Sequence, residues 1–469
     1  MSDLKKVIEA NGVIALFEEI SGKGYVITQK SEFYDYGKDQ TLDLHFDFDI
    51  LIKPASVHEI SRIVKICNKF RIPITPRGGG SGVTGGALPV NGGVVLSTER
   101  LNNILEINKI DNYVIAECGV ITDDLRSFVE ANGLFLPVYP SSSSYSFTGG
   151  NVAENAGSIS SCKFGTTSQY ILNLEVVMPN GDVIWTGANV SKNVSGLNIT
   201  QLFVGSERIL GIITKIVYKL IIKPKYEVML LAGFISLESA CKAVIAIKQS
   251  RIKPAAVELI CSNAIDLTRE YLGEEMLLKG KDITTHLLIS VQEDHGSVLN
   301  DCLEELNSII GQYTDEDMLI AESGSEKYRV SKLRFNIGNA MTMVGRKYRD
   351  VDACVPLSFL YDFIRKVESI SGSNGIKMVC FGHALDGNLH TMLVFDDEGS
   401  ANEGKAEKAI RDIYKYVVSI GGVISGEHGI GLIQRDFMKI QHSRPHMRLL
   451  KKIKRLMDPN NIMNPGKLV

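Results

Sequence analysis

The sequence lacks paired cysteines, long apolar runs and an excess of one charge, and each absence argues against a class of protein. Its eight cysteines are scattered with no CxxC pair, so iron–sulfur and zinc-ribbon sites find no support. The longest apolar run, Val228 to Ile235, is far shorter than a membrane-spanning helix. The 51 basic and 54 acidic residues leave a net charge of −3, which gives no electrostatic case for binding nucleic acid.

The two ends of the chain bear on its location. The first residues, MSDLKKVIEANG, place acidic side chains and a turn signal where a signal peptide carries its apolar core, so we expect a cytoplasmic protein. Near the C-terminus, basic residues are interleaved with apolar ones between Arg448 and Leu456. This pattern predicts an amphipathic helix with a solvated face, and peripheral contact with the inner membrane is the alternative.

The order of the secondary-structure patterns predicts an α+β protein rather than a regular βαβ repeat. Ser56–Glu59 is a capping box that opens a helix running to about Phe70, and Asn180-Gly181 predicts a hairpin. For the second domain we expect an antiparallel sheet with helices on one side. The predicted domain organisation has three parts: residues 1–224, residues 225–424 and a C-terminal segment of residues 425–469.

The most informative loop is a glycine cluster, Pro76 to Gly86, bracketed by two predicted strands. It contains a GxGxxG pattern at Gly80, Gly82 and Gly85, so a Rossmann dinucleotide site has to be considered. A Rossmann turn opens directly into a helix, whereas residues 87–93 continue as a loop into another strand. A nest of backbone N–H groups that holds a pyrophosphate is therefore favoured, with a flexible glycine linker as the alternative.

A second stretch of small residues follows further along the chain, after Pro140-Ser141. It carries three glycines and two asparagines, at Gly149, Gly150, Asn151, Asn155 and Gly157. Such residues suit close backbone approach to a flat ligand, although an ordinary surface loop fits equally well. Together, the two loops could clasp one extended dinucleotide from two sides.

Seven segments together carry a resemblance to a known family. They are PRGGGSG (76–82), GGNVAENAG (149–157), KNVSG (192–196), VGSE (204–207), GHALDGNLH (382–390), SGEHGIG (425–431) and DPNNIMNPGK (458–467). In combination they resemble the vanillyl-alcohol-oxidase type of FAD protein, in the branch of D-lactate dehydrogenases and glycolate oxidases. The resemblance implies a two-lobed PCMH-type FAD-binding domain with a core of about residues 46–224, an antiparallel-sheet substrate (cap) domain, and C-terminal helices that return to the FAD domain.

The residues that the resemblance assigns to FAD lie in the two small-residue loops, the VGSE segment and the C-terminal motif. They are Pro76, Arg77, Gly78, Gly79, Gly80, Ser81, Gly82, Pro140, Ser141, Gly149, Gly150, Asn151, Asn155, Gly157, Gly205, Ser206, Glu207, Ile212 and Asn464. Members that bind flavin covalently carry His where this chain has Ser81, so non-covalent FAD is expected. The chain also departs from the family's VGSEGTLG pattern, because Arg208 and Ile209 stand where small residues are usual.

Histidines and a glutamate in two glycine-rich loops predict a metal site. Asp386-Gly387 is a favoured two-residue turn, which would pair His383 directly with His390 at a Cβ separation of about 5 Å. The two imidazoles could then share one divalent ion, with Glu427 as a third ligand. Two nitrogens and one oxygen suit Zn, Mn or Fe alike; the alternative is that each histidine bonds loop backbone. The resemblance supports metal, because the family's HxxDGNxH and GEHG motifs carry it.

The resemblance also assigns two catalytic residues. His428 is implied as the base that takes the proton of the substrate hydroxyl, and Arg334 as the clamp for the substrate carboxylate. Arg346 and Arg349 are weaker candidates for the clamp, because they lie in a charged loop that is easily solvated.

These residues predict FAD-dependent oxidation of a small D-2-hydroxy acid to the 2-oxo acid, with D-lactate favoured and glycolate close behind. Family members that oxidise D-2-hydroxyglutarate hold its distal carboxylate with polar and basic residues. At the first of two such positions this chain has Met392, and the second falls near Asp350. Two alternatives stay open, a D-2-hydroxyglutarate dehydrogenase and a flavin-binding subunit of a larger oxidoreductase complex. The electron acceptor is open among a quinone, an electron-transfer flavoprotein and an iron–sulfur subunit, and a homodimer is one candidate assembly.

Overall fold

The chain folds into two units, each assembled from segments that lie far apart in sequence. A computed structural model describes residues 3–273, 277–278, 283–343, 347–395 and 400–469. The first unit comprises Met1–Ser158, Thr166–Lys223 and Glu427–Val469. The second comprises Ile159–Gly165 and Pro224–Gly426.

Helices and strands follow one another without a regular repeat. Up to residue 223 the strands are β1 (Val26–Ile27), β2 (Ile50–Ile52), β3 (Ile74–Arg77), β4 (Val94–Ser97), β5 (Ile104–Asn108), β6 (Tyr113–Glu117), β7 (Leu134–Phe135), β8 (Ile171–Val177), β9 (Val183–Trp185), β10 (Ile212–Lys219) and β11 (Ile221–Ile222). The helices of the same part are α1 (Asp3–Ala10), α2 (Val13–Ser21), α3 (Lys30–Phe33), α4 (Val57–Phe70), α5 (Thr122–Ala131), α6 (Thr148–Glu154), α7 (Ser161–Phe164) and α8 (Ile199–Phe203).

The rest of the chain continues the mixture and confirms the α+β class. Its strands are β12 (Tyr226–Phe234), β13 (Ala256–Cys261), β14 (Thr285–Glu293), β15 (Leu319–Ala321), β16 (Lys347–Cys354), β17 (Lys377–His383) and β18 (Asn388–Phe395). Its helices are α9 (Leu237–Gln249), α10 (Ser262–Leu272), α11 (Gly296–Ile310), α12 (Gly324–Phe335), α13 (Ile337–Met343), α14 (Leu360–Ser373), α15 (Ser400–Ser419), α16 (Met438–Gln441) and α17 (Arg444–Met457). Among the helices in the described part of the chain, none combines the length and apolarity needed to cross a membrane.

Two larger sheets organise the first unit. One has the order β1-β2-β4-β3, and the other is antiparallel with the order β5-β6-β10-β8-β9. The Ser56 hydroxyl accepts a hydrogen bond from the N–H of Glu59 and opens α4, as predicted. Asn180-Gly181 turns the chain between β8 and β9, with Gly181 at φ +87°, which confirms the predicted hairpin.

The glycine cluster connects β3 to β4, which are parallel neighbours in the first sheet. Residues 78–93 form turns and bends without a helix. This confirms that the cluster does not open a helix as a Rossmann turn does. An anion held here would meet the N–H groups of a loop instead of a helix N-terminus.

A seven-stranded antiparallel sheet forms the centre of the second unit, in the order β15-β12-β14-β13-β17-β18-β16. Every residue of β13 and all but the last of β14 are buried. Successive residues of a strand point to opposite faces, so both faces of the sheet are covered. Burial alone does not identify what covers each face, so helices on one side of this sheet stay a prediction.

Candidate active site

The two glycine-rich loops of the first unit lie against each other. A Cβ added to Gly79 would come within 2.2 Å of the carbonyl oxygen of Tyr145. One added to Gly149 would lie 2.6 Å from the side chain of Cys118. Only glycine permits these approaches, so Gly79 lets the two loops meet and Gly149 lets the second loop approach the end of β6, whereas a Cβ on Gly82 would meet open space.

The other residues assigned to FAD from the sequence follow the same loops. Pro76 and Arg77 end β3, and Gly78 to Gly82 follow it. Pro140 and Ser141 precede α6, Gly149 to Asn151 lie in it, and Asn155 and Gly157 follow it. Gly205 to Glu207 precede β10, which begins at Ile212. The Arg77 guanidinium donates to the carbonyl oxygens of Lys38 and Asp35. The Asn151 side chain donates to Thr122 at 2.8 Å. These two side chains thus shape the loops from within.

The C-terminal motif returns to the glycine cluster through buried hydrogen bonds. The Asn464 amide donates to the carbonyl oxygens of Gly86 and Glu207, each at 2.9 Å. The Glu207 carboxylate accepts from the N–H groups of Ile430 and Gly431, each at 2.7 Å. Burial raises the pKa of Glu207, although these two N–H groups oppose the change. Both side chains therefore brace the loops, and direct contact of either with FAD stays a prediction.

Arg208, the departure from the family pattern, forms a largely buried ion pair with Glu154. Its backbone lies in the left-handed region at φ +64°, and burial lowers its pKa to about 10. Arg208 Nε and Glu154 Oε2 are buried without a hydrogen-bond partner among the described residues. A Cβ added to Gly86 would lie 3.2 Å from Glu154 Oε1. Unpartnered buried polar atoms beside a glycine loop fit a site for a polar ligand such as FAD.

His428, the predicted base, lies on a segment tied to the glycine cluster. Thr84 Oγ1 donates to the carbonyl oxygen of His428 at 3.2 Å, and the N–H of Leu432 donates to the carbonyl oxygen of Thr84 at 2.8 Å. The imidazole Nε2 of His428 is 3.6 Å from Glu427 Oε1. The backbone of His428 is therefore held next to the loop that is predicted to carry FAD.

The hairpin of the two candidate metal histidines differs from the prediction. Residues 384–387 join β17 to β18, so the loop has four residues instead of two. The register pairs Phe381 with His390 and leaves His383 opposite Asn388. The predicted direct pairing of the two histidines is wrong.

The two histidines nevertheless lie close together. Their ring centroids are 5.4 Å apart with an angle of 82° between the planes, and their rings offer nitrogens within 4.8 Å of each other. The longer loop allows Leu385 to be buried. Residues 384–386 form a 3-10 turn that places this side chain inside. The arrangement can offer two imidazole nitrogens to one ion.

A buried glutamate that was not predicted joins two of the predicted residues. Glu258 Oε1 is 2.5 Å from His383 Nδ1, and Glu258 Oε2 accepts a 2.6 Å hydrogen bond from Arg334 Nε. Burial alone would raise the pKa of Glu258, but the charges and hydrogen bonds of His383 and Arg334 lower it to about 2. The signal that could have found it is one acidic residue in the otherwise apolar strand AVELIC.

Asp350 on β16 pairs with Met392 on β18. Met392 is two residues after His390, so it lies on the same face of the sheet. Asp350 Oδ2 is 3.8 Å from His390 Nδ1, so a carboxylate stands beside this histidine. Met392 is partly buried and packs against the apolar cluster that contains Phe381. The wall beside the histidines is thus apolar on β18 and acidic on β16.

Arg334 is the predicted clamp that the structure brings to the histidines. Its side chain is 11% exposed, and its Cζ lies 4.7 Å from the ring centroid of Phe381. Arg349 neighbours Asp350 on β16 and therefore points to the opposite face of the sheet. Arg346 lies outside the described residues.

Hydrogen bonds to the buried Asp352 fix the chain directly before Glu427. Asp352, which pairs with His390 in the register, accepts hydrogen bonds from the Ser425 hydroxyl at 2.9 Å and the Gly426 N–H at 2.8 Å. Gly426 is the last residue of the second unit, and consecutive Cα atoms are about 3.8 Å apart. The position of Gly426 therefore limits where the backbone of Glu427 can lie.

Family models and named relatives account for nearly the whole chain. The family described as FAD linked oxidases, C-terminal domain, matches residues 223–468, and the FAD binding domain matches residues 48–187. The glycolate oxidase subunit GlcD of Bacillus subtilis (strain 168) is 34% identical over 433 residues, 92% of this chain and 91% of its own. A D-lactate dehydrogenase of Anaerostipes hadrus is 30% identical over 470 residues, 97% of each chain.

The solved structure of p-cresol methylhydroxylase with substrate bound shares the fold. Its TM-score is 0.80 at 18% identity, and the match covers 98% of this chain and 96% of that one. A likeness at this identity shows the fold alone, and it confirms the PCMH-type architecture expected from the motifs. The family resemblance drawn from those motifs is confirmed as well. The chain therefore belongs to the FAD-linked oxidase family and is an FAD-dependent oxidoreductase.

Proposed function

We propose that the protein oxidises a small D-2-hydroxy acid to the 2-oxo acid, with D-lactate favoured and glycolate close behind. The observation that carries the proposal is the buried pair of His383 and His390 on one sheet face with Arg334. The names of two relatives, a D-lactate dehydrogenase and a glycolate oxidase subunit, support this substrate class.

The FAD of this protein is proposed to lie without a covalent link along residues 76–82, 140–157 and 205–212. Ser81 offers no imidazole for attachment to the flavin. Acid precipitation of the purified holoprotein should therefore release all yellow colour to the supernatant. Colour that stays with the pellet would contradict the prediction.

One divalent ion, Zn, Mn or Fe, is proposed to bind to His383, His390 and Glu427. Two nitrogens from neighbouring strands and one carboxylate oxygen form a donor set that these ions accept, and such a set leaves positions for substrate. The hydrogen bond from Gly426 to Asp352 supports the third ligand, because it fixes the residue before Glu427.

The chain's own residues are proposed to bind substrate and move its proton. When bound, FAD accepts a hydride at N5 and a divalent ion lowers the pKa of a substrate hydroxyl. Arg334 binds the substrate carboxylate through the planar fork of its guanidinium, and His428 takes the hydroxyl proton. Hydrogen bonding of the His428 segment to Thr84 supports this role, because it ties the base to the FAD loop.

D-Lactate should be preferred to D-2-hydroxyglutarate. Met392 offers no hydrogen bond to a second carboxylate, and Asp350 beside it would repel one. A buried group left without a partner costs at least about 2 kcal/mol, which corresponds to a preference of more than about tenfold. Anaerobic reduction of the flavin by D-lactate, glycolate and D-2-hydroxyglutarate, followed by kcat/KM values, measures this ratio.

The same panel separates the alternatives. A higher kcat/KM for D-2-hydroxyglutarate would overturn the substrate assignment. No reduction by any of these acids in metal-loaded protein would favour a flavin-binding subunit without catalysis of its own. L-Lactate serves as the control, because it has the same size and charge and the opposite configuration.

We also propose an electron-accepting partner and a location for the protein. The Bacillus subtilis relative is named as a subunit, which supports an electron-accepting partner. The candidate acceptors are an iron–sulfur subunit, a quinone and an electron-transfer flavoprotein. We place the protein in the cytoplasm with peripheral contact to the inner membrane through α17. Leu449 and Leu456 of that helix are 57% and 81% exposed among basic side chains, which supports such contact.

A further inference from the structure

Glu258 holds two residues of the proposed site at once. It lies opposite His383 on the neighbouring strand β17, and Arg334 reaches it from α12. We infer that Glu258 is a positioning residue that orients His383 toward the metal ion and Arg334 toward the substrate carboxylate. This inference rests on the proposed function and adds to it a residue outside every motif of the sequence.

The contact with His383 selects the ring nitrogen that can bind a metal. A carboxylate accepts hydrogen bonds and cannot donate, so the 2.5 Å contact places the proton on Nδ1 of His383. In the neutral ring, Nε2 then carries the lone pair that an ion requires. Histidines that bind metals commonly donate their other N–H to a carboxylate, which fixes the ring and raises its basicity.

The second oxygen of Glu258 orients Arg334. The guanidinium donates through Nε at 2.6 Å, and its Cζ lies 4.7 Å from the ring centroid of Phe381. A guanidinium held by a hydrogen bond and an aromatic ring presents its Nη groups in a set direction. Bidentate binding of a carboxylate depends on such a direction.

Stability alone does not explain a carboxylate at this position. The Glu258 side chain is 1% exposed, and desolvation of a buried ion pair roughly offsets its attraction. Apolar side chains of similar size would therefore stabilise the strand as well. A charge kept between a proposed metal ligand and a proposed substrate clamp points to a role in the site.

Glu227 is a matched control in the same sheet. It lies on β12 and pairs with Lys327 of α12 at 3.2 Å, so it also joins a strand of the sheet to that helix. Its other oxygen accepts from Gln292 at 2.8 Å. Among the described residues, the side chain of Glu227 bonds to Ser290, Gln292 and Lys327, none of which is a proposed ligand. Its loss therefore tests what removing a Glu–cation pair does by itself.

The experiment compares Glu258→Gln with Glu227→Gln in FAD-loaded protein. In Glu258→Gln we expect the affinity for Zn²⁺, measured by competition with a chromophoric chelator, to fall about 10- to 100-fold. KM for D-lactate should rise in the same variant, because Arg334 loses the charge that orients it. Glu227→Gln should keep wild-type values of both, and the FAD content should be unchanged in both variants.

Wild-type affinity for Zn²⁺ in Glu258→Gln would overturn the inference. If that variant fails to fold, Glu258→Asp keeps the charge and withdraws the carboxylate by one methylene. A loss of Zn²⁺ affinity in Glu258→Asp, smaller than that expected for Glu258→Gln, then supports the inference. Wild-type Zn²⁺ affinity in Glu258→Asp overturns it. A wild-type protein that binds neither Zn²⁺ nor Mn²⁺ would defeat the proposed metal site itself, so the two failures are distinguishable.

Discussion

Replacing His390 by alanine is expected to remove the divalent ion and turnover together while FAD stays bound. His390 is 5% exposed, and its ring lies beside that of His383, so the substitution deletes one of two neighbouring imidazole nitrogens. The loops assigned to FAD belong to the other unit and keep their sequence. Partners outside the ligand shell are already worth about 10- to 100-fold, so losing a ligand should lower turnover by more than about 100-fold. Elemental analysis and flavin absorbance measure the two contents.

His286 provides the matched control for this experiment. It is buried on β14 of the same sheet, and its two ring nitrogens have no hydrogen-bond partner among the described residues. Burial lowers the pKa of His286 to about 4, so its ring is neutral near pH 7. His286→Ala thus deletes a buried imidazole that is not a proposed ligand, and it should keep metal and turnover. Full turnover by metal-free wild-type protein would contradict the need for an ion.

Features set by neighbouring residues could be predicted from the sequence. The cap at Ser56 and the turn at Asn180-Gly181 depend on a few adjacent side chains and on a positive φ that glycine accepts. The lack of a helix in residues 78–93 could also be predicted, because residues 87–93 carry no helical pattern. The family motifs then supplied the fold of the remainder.

Features that depend on strand order could not be predicted in this way. Glu258 meets His383 across 125 positions of sequence, because β13 lies next to β17, and no local pattern encodes that adjacency. In isolation, Asp386-Gly387 is a strong turn signal and predicts a two-residue loop for the His383 hairpin. Burial of Leu385 lengthened the loop and shifted the register. Tertiary packing therefore overrode a local preference at the hairpin, whereas the contact of Glu258 with His383 had no local signal.

Replacing His428 by asparagine is expected to slow reduction of the flavin by substrate while metal and FAD stay in place. The hydrogen bonds that hold this segment use the carbonyl oxygen of His428 and the N–H groups of Ile430 and Gly431, so they do not require the imidazole. Asparagine keeps a polar side chain but cannot accept the hydroxyl proton. Loss of a general base costs roughly two or more orders of magnitude in rate. Anaerobic stopped-flow absorbance of the flavin measures this step apart from reoxidation.

His442→Asn is the control, because it makes the same substitution in the same unit at a histidine that stacks on His446 with ring centroids 4.1 Å apart. That variant should reduce its flavin at the wild-type rate. Reduction of His428→Asn at a near-normal rate, with metal and FAD contents intact, would remove His428 from the mechanism and leave the carboxylate of Glu427 as the next candidate for the base. A slow rate accompanied by loss of metal would instead assign the imidazole to ligation, since Nε2 lies only 3.6 Å from Glu427 Oε1. The rate and the metal content together therefore decide which of these two roles His428 has.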